Sequence, residues 1–286
     1  MREPTTAQKI AMARAARAVT MLGRRLVGAG DRALVVRRGV RWELDLREGI
    51  DFAIYLLGGF ELRTLRIYEE LVHPGDTVLD IGANIGAHTL PFARLVGSDG
   101  RVIAFEPTRF AFTKLERNLS LNQDLAARVL ARQIALVDGT APAVPERIYS
   151  SWPLDRSDGR HAVHGGVLQG TEGAQAMTLD RAAESIDLDR VDFIKLDVDG
   201  HEPAVLAGGL GTIARFRPRM LIEWAPYLFE GRDAVLNEAL RGLRELGYRA
   251  RIAGSQAVGE LPCDRNSLFV PIAEGASVNL LLEVGP

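Results

Sequence analysis

The segment 77–86 (TVLDIGANIG) limits what this chain can fold into more than any other stretch. TVLDI reads as a short buried strand that runs directly into Gly82-Ala83-Asn84-Ile85-Gly86, and the apolar pattern over 87–96 then reads as a helix. A strand turning into a helix through two glycines opens a βαβ unit, and such units build parallel sheets with crossover helices. Gly82 and Gly86 allow a tight turn and close approach of a ligand to the backbone, while Asp80 sets a carboxylate near the carboxyl end of the strand. That acid separates the turn from a dinucleotide fingerprint. G-x-G-x-x-G calls for glycine at position 84, which is Asn here, and a carboxylate repels a pyrophosphate. It suits the cationic amino-acid end of a sulfonium cofactor instead.

The alternation continues downstream. Strands are expected at Arg101–Phe105, 129–137, 191–196 and 219–223, and helices at 87–96, 109–121, Glu202–Ala207 and 234–246. Segments 248–252, 267–270 and 278–282 can close the sheet, while 138–173, rich in Gly, Pro, Ser and Asp, reads as irregular. The expected fold is α/β, a doubly wound, mainly parallel seven-stranded Rossmann-like sheet. Ahead of it, 7–27 reads as a basic helix, 41–46 as a strand, and 51–71 as helical turns broken at Gly58-Gly59. This divides the chain into an extension 1–40, an appendage 41–75 and a cofactor-binding domain 76–286, with a specificity loop about 140–175.

Acids recur at strand ends. Glu106 closes the second strand, 24 residues after Gly82, where an acid can accept hydrogen bonds from both ribose hydroxyls. Asp197 and Asp199 (KLDVDGHE) and Glu223 fall on the same carboxyl edge, along which open α/β sheets bind ligands.

These motifs, with Gly59-Phe60-Glu61, Pro74–Gly86, Ala104-Phe105-Glu106-Pro107, the run 118–122 (NLSLN), Thr178-Leu179-Asp180, Leu206-Ala207-Gly208-Gly209 and 218–223, resemble in order and spacing the FkbM-type methyltransferases, over about residues 41–270. The resemblance implies a class I fold, S-adenosylmethionine as cofactor, and O-methylation of a small-molecule hydroxyl acceptor such as a sugar, glycolipid or polyketide-type natural product. Carried onto this chain, it assigns the cofactor to Asp80, Gly82, Ala83, Asn84, Gly86, Glu106 and Pro107, with Asn122 toward the adenine. Asp199 departs from the family, which usually has Glu there.

An alcohol oxygen must lose its proton, so a base or metal is needed near it. Asp197 is the first candidate, and His201, four residues on, competes because an ordinary imidazole titrates near 6.5. Asp197, Asp199 and Glu223 together offer hard oxygen ligands for a divalent cation such as magnesium. Glu61 with Phe60, Trp152, and Trp224 with Tyr227 and Phe229 are candidates for the acceptor pocket, as are His88, His161 and His164. Core or surface roles compete for each of these. Two rivals from other classes are a nicotinamide dehydrogenase, opposed by Asp80 and the missing glycine, and a non-catalytic cofactor-binding regulator, opposed by the intact acids.

Charge is distributed unevenly. Residues 1–41 hold ten basic side chains against two acidic ones, a net of +8; the whole chain is −2, so the remainder carries −10. An acidic main domain argues against nucleic acid as partner. The basic helix suggests peripheral contact of residues 1–28 with an anionic membrane, or packing on a second subunit in a homo-oligomer. No apolar run reaches the length of a membrane span and no secretory signal is seen, so a cytoplasmic protein is expected, with its single Cys263 unable to form an internal disulfide.

Overall fold

The computed structural model describes residues 6–140, 144–155, 165–255, 258–272 and 275–285. His161 and His164 lie outside them. The chain opens with helix α1 (Thr6–Leu26), a hairpin of β1 (Arg32–Arg37) and β2 (Val40–Asp45), and helices α2 (Gly49–Leu57) and α3 (Leu62–Leu71). Gly58, at φ +84°, ends α2 in the left-handed conformation and donates its N–H to Ile54 O, a glycine C-cap of the expected kind. The turn is Arg38-Gly39 and Val40 already pairs with Arg37, so the boundary expected after position 40 falls inside β2.

The main sheet begins with β3 (Thr77–Ile81), buried at all five positions, as a strand covered on both faces must be. It is followed by α4 (Thr89–Leu95), β4 (Arg101–Phe105), α5 (Arg109–Ser120), the short α6 (Gln123–Ala126), β5 (Val129–Arg132) and β6 (Ile134–Leu136). The region expected to be irregular contains a hairpin of β7 (Arg147–Ser151) and β8 (Val167–Gly170), and then β9 (Gln175–Met177), which pairs with β6. The chain returns through α7 (Leu179–Ser185), β10 (Phe193–Leu196), α8 (Glu202–Ala207), α9 (Leu210–Phe216), β11 (Arg219–Trp224), α10 (Asp233–Glu245), β12 (Tyr248–Ile252), β13 (Val258–Glu260) and β14 (Val278–Val284).

The strand order is β13-β12-β14-β11-β10-β3-β4-β5. From β11 to β5 every pairing is parallel, and β14 runs antiparallel between β11 and β12. The seven expected strands are therefore joined by an eighth, the short edge strand β13. Segment 267–270, one of those expected to close the sheet, is not a strand. The single strand expected over 129–137 splits at Gln133 into β5, on the main sheet, and β6, which pairs with β9 outside it.

This order decides where a ligand can bind. After β3 the chain winds outward through β4 and β5, then crosses back to lay β10 on the other flank of β3. The carboxyl ends of β3 and β10 thus form a topological switch point, with Ile81 paired to Leu196 and both loops leaving in different directions. One apolar cluster unites Met21, Trp42, Leu44, Phe52 and Ile54 of the appendage with Ala83, Ile85, Leu90 and Leu115 of the domain, so the appendage forms a wall of that switch point. No described helix is long and apolar enough to cross a membrane.

Candidate active site

A cleft of about 560 Å³ opens over the switch point, lined from β3 and β10, the β7–β8 hairpin and the appendage. Its floor is the glycine turn. Gly82 stands at φ +83°, and a Cβ there would lie 1.9 Å from Asp197 O, so the close approach of the β3 and β10 loops requires glycine. Asn84 also adopts a left-handed conformation, φ +48°, which its amide stabilises by accepting from Ile85 N at 2.9 Å. Gly82, Ala83 and Asn84 line the cleft; Gly86 does not, and its φ of +90° and contact with Leu115 give it a turn-forming, packing role.

Glu106 is buried and lines one end of the cleft, beside Pro107. Its Oε2 accepts from Asn84 N at 3.0 Å, and its Oε1 from Thr108 N at 2.9 Å and Thr108 Oγ1 at 2.6 Å. Burial pushes the carboxyl above its ordinary range, and these donors offset only part of that rise. Ser150, on β7, reaches over this knot: its hydroxyl lies 2.8 Å from Thr108 Oγ1, and its carbonyl accepts from Asn84 Nδ2 at 3.2 Å. Apolar side chains of Leu136, Val137, Ile148 and Tyr149 complete that end.

The other end is charged. Lys195, in the middle of the otherwise apolar β10, is buried, donates to Gly82 O at 3.1 Å and stands 3.3 Å from Asp197 Oδ2 and 3.8 Å from Asp80 Oδ1. Burial alone would lower this ammonium; the carboxylates of Asp197 and Asp80 outweigh it and hold the group charged. Asp197 keeps 29% of its side chain exposed, into the cleft. Burial would raise its carboxyl, but Lys195 and a hydrogen bond from Glu223 bring it below its ordinary range. Glu223 is driven well above its range by burial and by the charges of Asp197 and Asp199, and accepts from Ser277 Oγ at 2.6 Å. Burial with the charges of Asp197 and Glu202 pushes Asp199 up as well. Asp197, shifted toward its ionised form, thus faces the cleft beside carboxyls shifted the other way.

Four expected placements are corrected. Asp80 is fully buried beneath the turn, where it accepts from Thr89 Oγ1 at 2.6 Å; it anchors Lys195 and does not face the cleft. Asn122 lies on the far side of α5, its amide accepting from Arg41 N at 2.9 Å and donating to Arg41 O at 2.7 Å, so it staples β2 to the domain. Trp224 is buried against Phe229, ring centroids 5.1 Å apart, and forms core. The carboxylates close enough to share an ion, among the described residues, are Asp197, Glu223 and Glu202, with Asp199 outside the group. Glu202 is already committed to Val198 N at 2.8 Å and Gly200 N at 2.9 Å, and the Lys195 ammonium occupies the flank of Asp197. The donor set does not fit a divalent cation.

Glu61 and Trp152 line the cleft, as do His88, His201 and Tyr227. Burial and then the Arg232 charge push the His201 imidazole down to about 4, far from the ordinary range that made it a candidate base. His88 is buried between Phe60 and Tyr68 with neither ring nitrogen hydrogen-bonded, and burial followed by the Lys195 charge pushes it to about 3. Lys195, Thr108 and Ser150 escaped the sequence reading. A lysine inside an apolar strand was the available signal for the first, since such a charge must find a partner; nothing local marks the other two.

The description "Methyltransferase FkbM domain" matches residues 80–250 of this chain. A hexuronic acid methyltransferase of Haloferax volcanii is 27% identical over 148 residues, covering 52% of this chain and 56% of that protein. The chain therefore matches little more than half the length of that relative. Among solved structures, the FkbM methyltransferase of Methylobacillus flagellatus KT aligns at 18% identity and a TM-score of 0.44, covering 76% of this chain and 50% of the other. Aeropyrum pernix fibrillarin, solved with natively bound S-adenosyl-L-methionine, aligns at 12% identity and a TM-score of 0.45, covering 90% and 85%.

Proposed function

This chain belongs to the FkbM methyltransferase family, and from that premise we propose that it transfers a methyl group from S-adenosylmethionine to a hydroxyl oxygen of a small-molecule acceptor of the sugar, glycolipid or polyketide class. The observation that carries the reading is the Asp197 carboxylate, 3.3 Å from Lys195 Nζ and open to the cleft directly across from the Gly82 turn. The cofactor, when bound, supplies a methyl carbon already activated by its sulfonium. The residues present fit it: Glu106 offers carboxylate lone pairs to a ribose, Leu136, Val137, Ile148 and Tyr149 an apolar wall to a purine, and the acid-rich end suits a cationic group.

Asp197 then takes the acceptor O–H proton as the oxygen bonds to the methyl carbon and the carbon–sulfur bond breaks, a role worth about 10² to 10⁴ in rate. Lys195 keeps that carboxylate ionised and aimed. Ile50, Ala53 and Phe60 of the appendage, with Trp152 after β7, orient the acceptor and exclude water. The hexuronic acid named for the Haloferax relative supports a sugar-like acceptor. Incubation with isotopically methyl-labelled cofactor and a panel of uronic-acid, glycolipid and polyketide alcohols, read by mass spectrometry, tests the reading. Label on a hydroxyl oxygen is expected. Failure to bind S-adenosylhomocysteine in a calorimetric titration would overturn it.

A further inference from the structure

Helix α1 presents its polarity the wrong way round for a helix facing water. It contains no acidic residue. Two of its arginines turn inward: Arg17 donates to Leu46 O at 2.7 Å and pairs with Asp31, while Arg24 donates to Gly30 O and Arg32 O, both at 2.9 Å, and lies over the Tyr55 ring. The opposite face carries Met12, Val19, Leu22 and Leu26, exposed at 66, 74, 65 and 82%. Their helical spacing sets all four on one stripe. Val27, Leu34, Val36, Leu56 and Leu57 are exposed as well, so that among the described residues every exposed large hydrophobic lies between positions 12 and 57.

We propose that this face rests on an anionic lipid bilayer and that the cleft beside it admits an acceptor carrying a hydrocarbon anchor. Residues 1–41, which hold seven of these nine exposed side chains, carry the net +8, with Arg25, Arg32 and Arg41 exposed, while the rest of the chain holds −10. An anionic surface attracts residues 1–41 and turns the acidic remainder toward water. A second copy is the poorer occupant. Packing α1 on its symmetry mate opposes two basic segments, and packing it on the acidic domain of another copy offers the stripe no exposed large apolar partner there.

The cleft reaches the surface at α2. Ile10 and Ala13 line it from the inward side of α1, the side of Arg17 and opposite the stripe, and Ile50, Ala53 and Leu57 line it from α2, Leu57 being at once a cleft residue and an exposed one. A hydroxyl-bearing headgroup can therefore reach Asp197 while its chain leaves the cleft past Leu57. This second half rests on the methyl-transfer reading; bilayer binding does not.

Flotation of the full chain with vesicles of equal parts phosphatidylglycerol and phosphatidylcholine, against phosphatidylcholine alone, tests the inference. Leu22→Asp/Leu26→Asp is the variant, since both side chains point to solvent and leave the core intact; unchanged S-adenosylhomocysteine affinity confirms its fold. Salt-sensitive binding to the anionic vesicles is expected, on the order of tenfold weaker or more in the variant. A parent that does not float, or a variant that floats equally well, overturns the proposal. So does light scattering that shows a dimer dispersed by the variant without vesicle binding, which would assign the face to a second copy. Cofactor affinity is read separately, so loss of flotation with intact methyl transfer refutes the bilayer and leaves the proposed reaction standing.

Discussion

At the scale of single residues the site turns on one buried cation. Lys195 is the positive charge in contact with both Asp80 and Asp197, and removing one partner of a buried charge cluster strands the others. Lys195→Met is therefore expected to cost about 3 to 5 kcal/mol in urea unfolding. Asp197→Asn keeps the shape and removes the basicity, so its single-turnover rate is expected to fall by about 10² to 10⁴ with cofactor affinity unchanged; a parental rate would take the base role away from Asp197. Adding chelator should leave the parent rate unaltered, because the acids around Asp197 do not fit a cation. Glu106→Ala deletes acceptors that Asn84 and Thr108 already hold in place. Calorimetric titration is expected to show binding weaker by about 1.5 to 3 kcal/mol, the scale of hydrogen bonds to charged groups.

At the scale of elements, the strand-to-helix turn after β3 works because β10 ends against it. The Gly82→Ala methyl would collide with the Asp197 carbonyl, in a left-handed conformation that disfavours any side chain. The β10 loop must then retreat and carry Asp197 with it. The variant is expected to lose both S-adenosylhomocysteine binding and methyl transfer, and to melt at a lower temperature, in differential scanning calorimetry. Gly231→Ala, also at positive φ but with open space around its Cβ, separates backbone strain from collision and should bind the cofactor normally.

At the scale of the molecule, stability depends on buried titratable groups, His88 and Asp51 where appendage and domain meet and Glu202 at the start of α8. Below about pH 6.5 the unfolded chain protonates His88 while the folded one, with that imidazole at about 3, does not, so the stability it supports is lost as pH falls through this window. Glu202, pushed up to about 7, and Asp51, up to about 6, work in the opposite direction, the folded form taking the proton first as pH falls. The two effects are separable by substitution. Urea titrations at pH 7 and pH 5 are expected to show His88→Phe losing roughly 2 kcal/mol less than the parent on acidification. Phe also suits the pocket between Phe60 and Tyr68, where both imidazole nitrogens lack partners.

What the sequence determined by itself was local or periodic: the strand and helix alternation, the breaks at Gly58 and Gly82, and the acids at strand ends Glu106 and Asp197 all depend on residue type and spacing within a few positions. What tertiary structure decided was which of those residues share a space. Asp80 and Asp197 read alike as strand-end acids, yet one lies under the turn and the other in the cleft, because Asp80 sits inside β3 opposite Lys195 while Asp197 lies two positions beyond that partner, past the end of β10. Asn122 and Trp224 were drawn to the site by motif and position, while the packing of β2 on α5 and of Phe229 on β11 claimed them. The hairpin that lowers Ser150 onto Glu106 has no period long enough to be legible, and its pairing is a long-range contact that folding alone supplies.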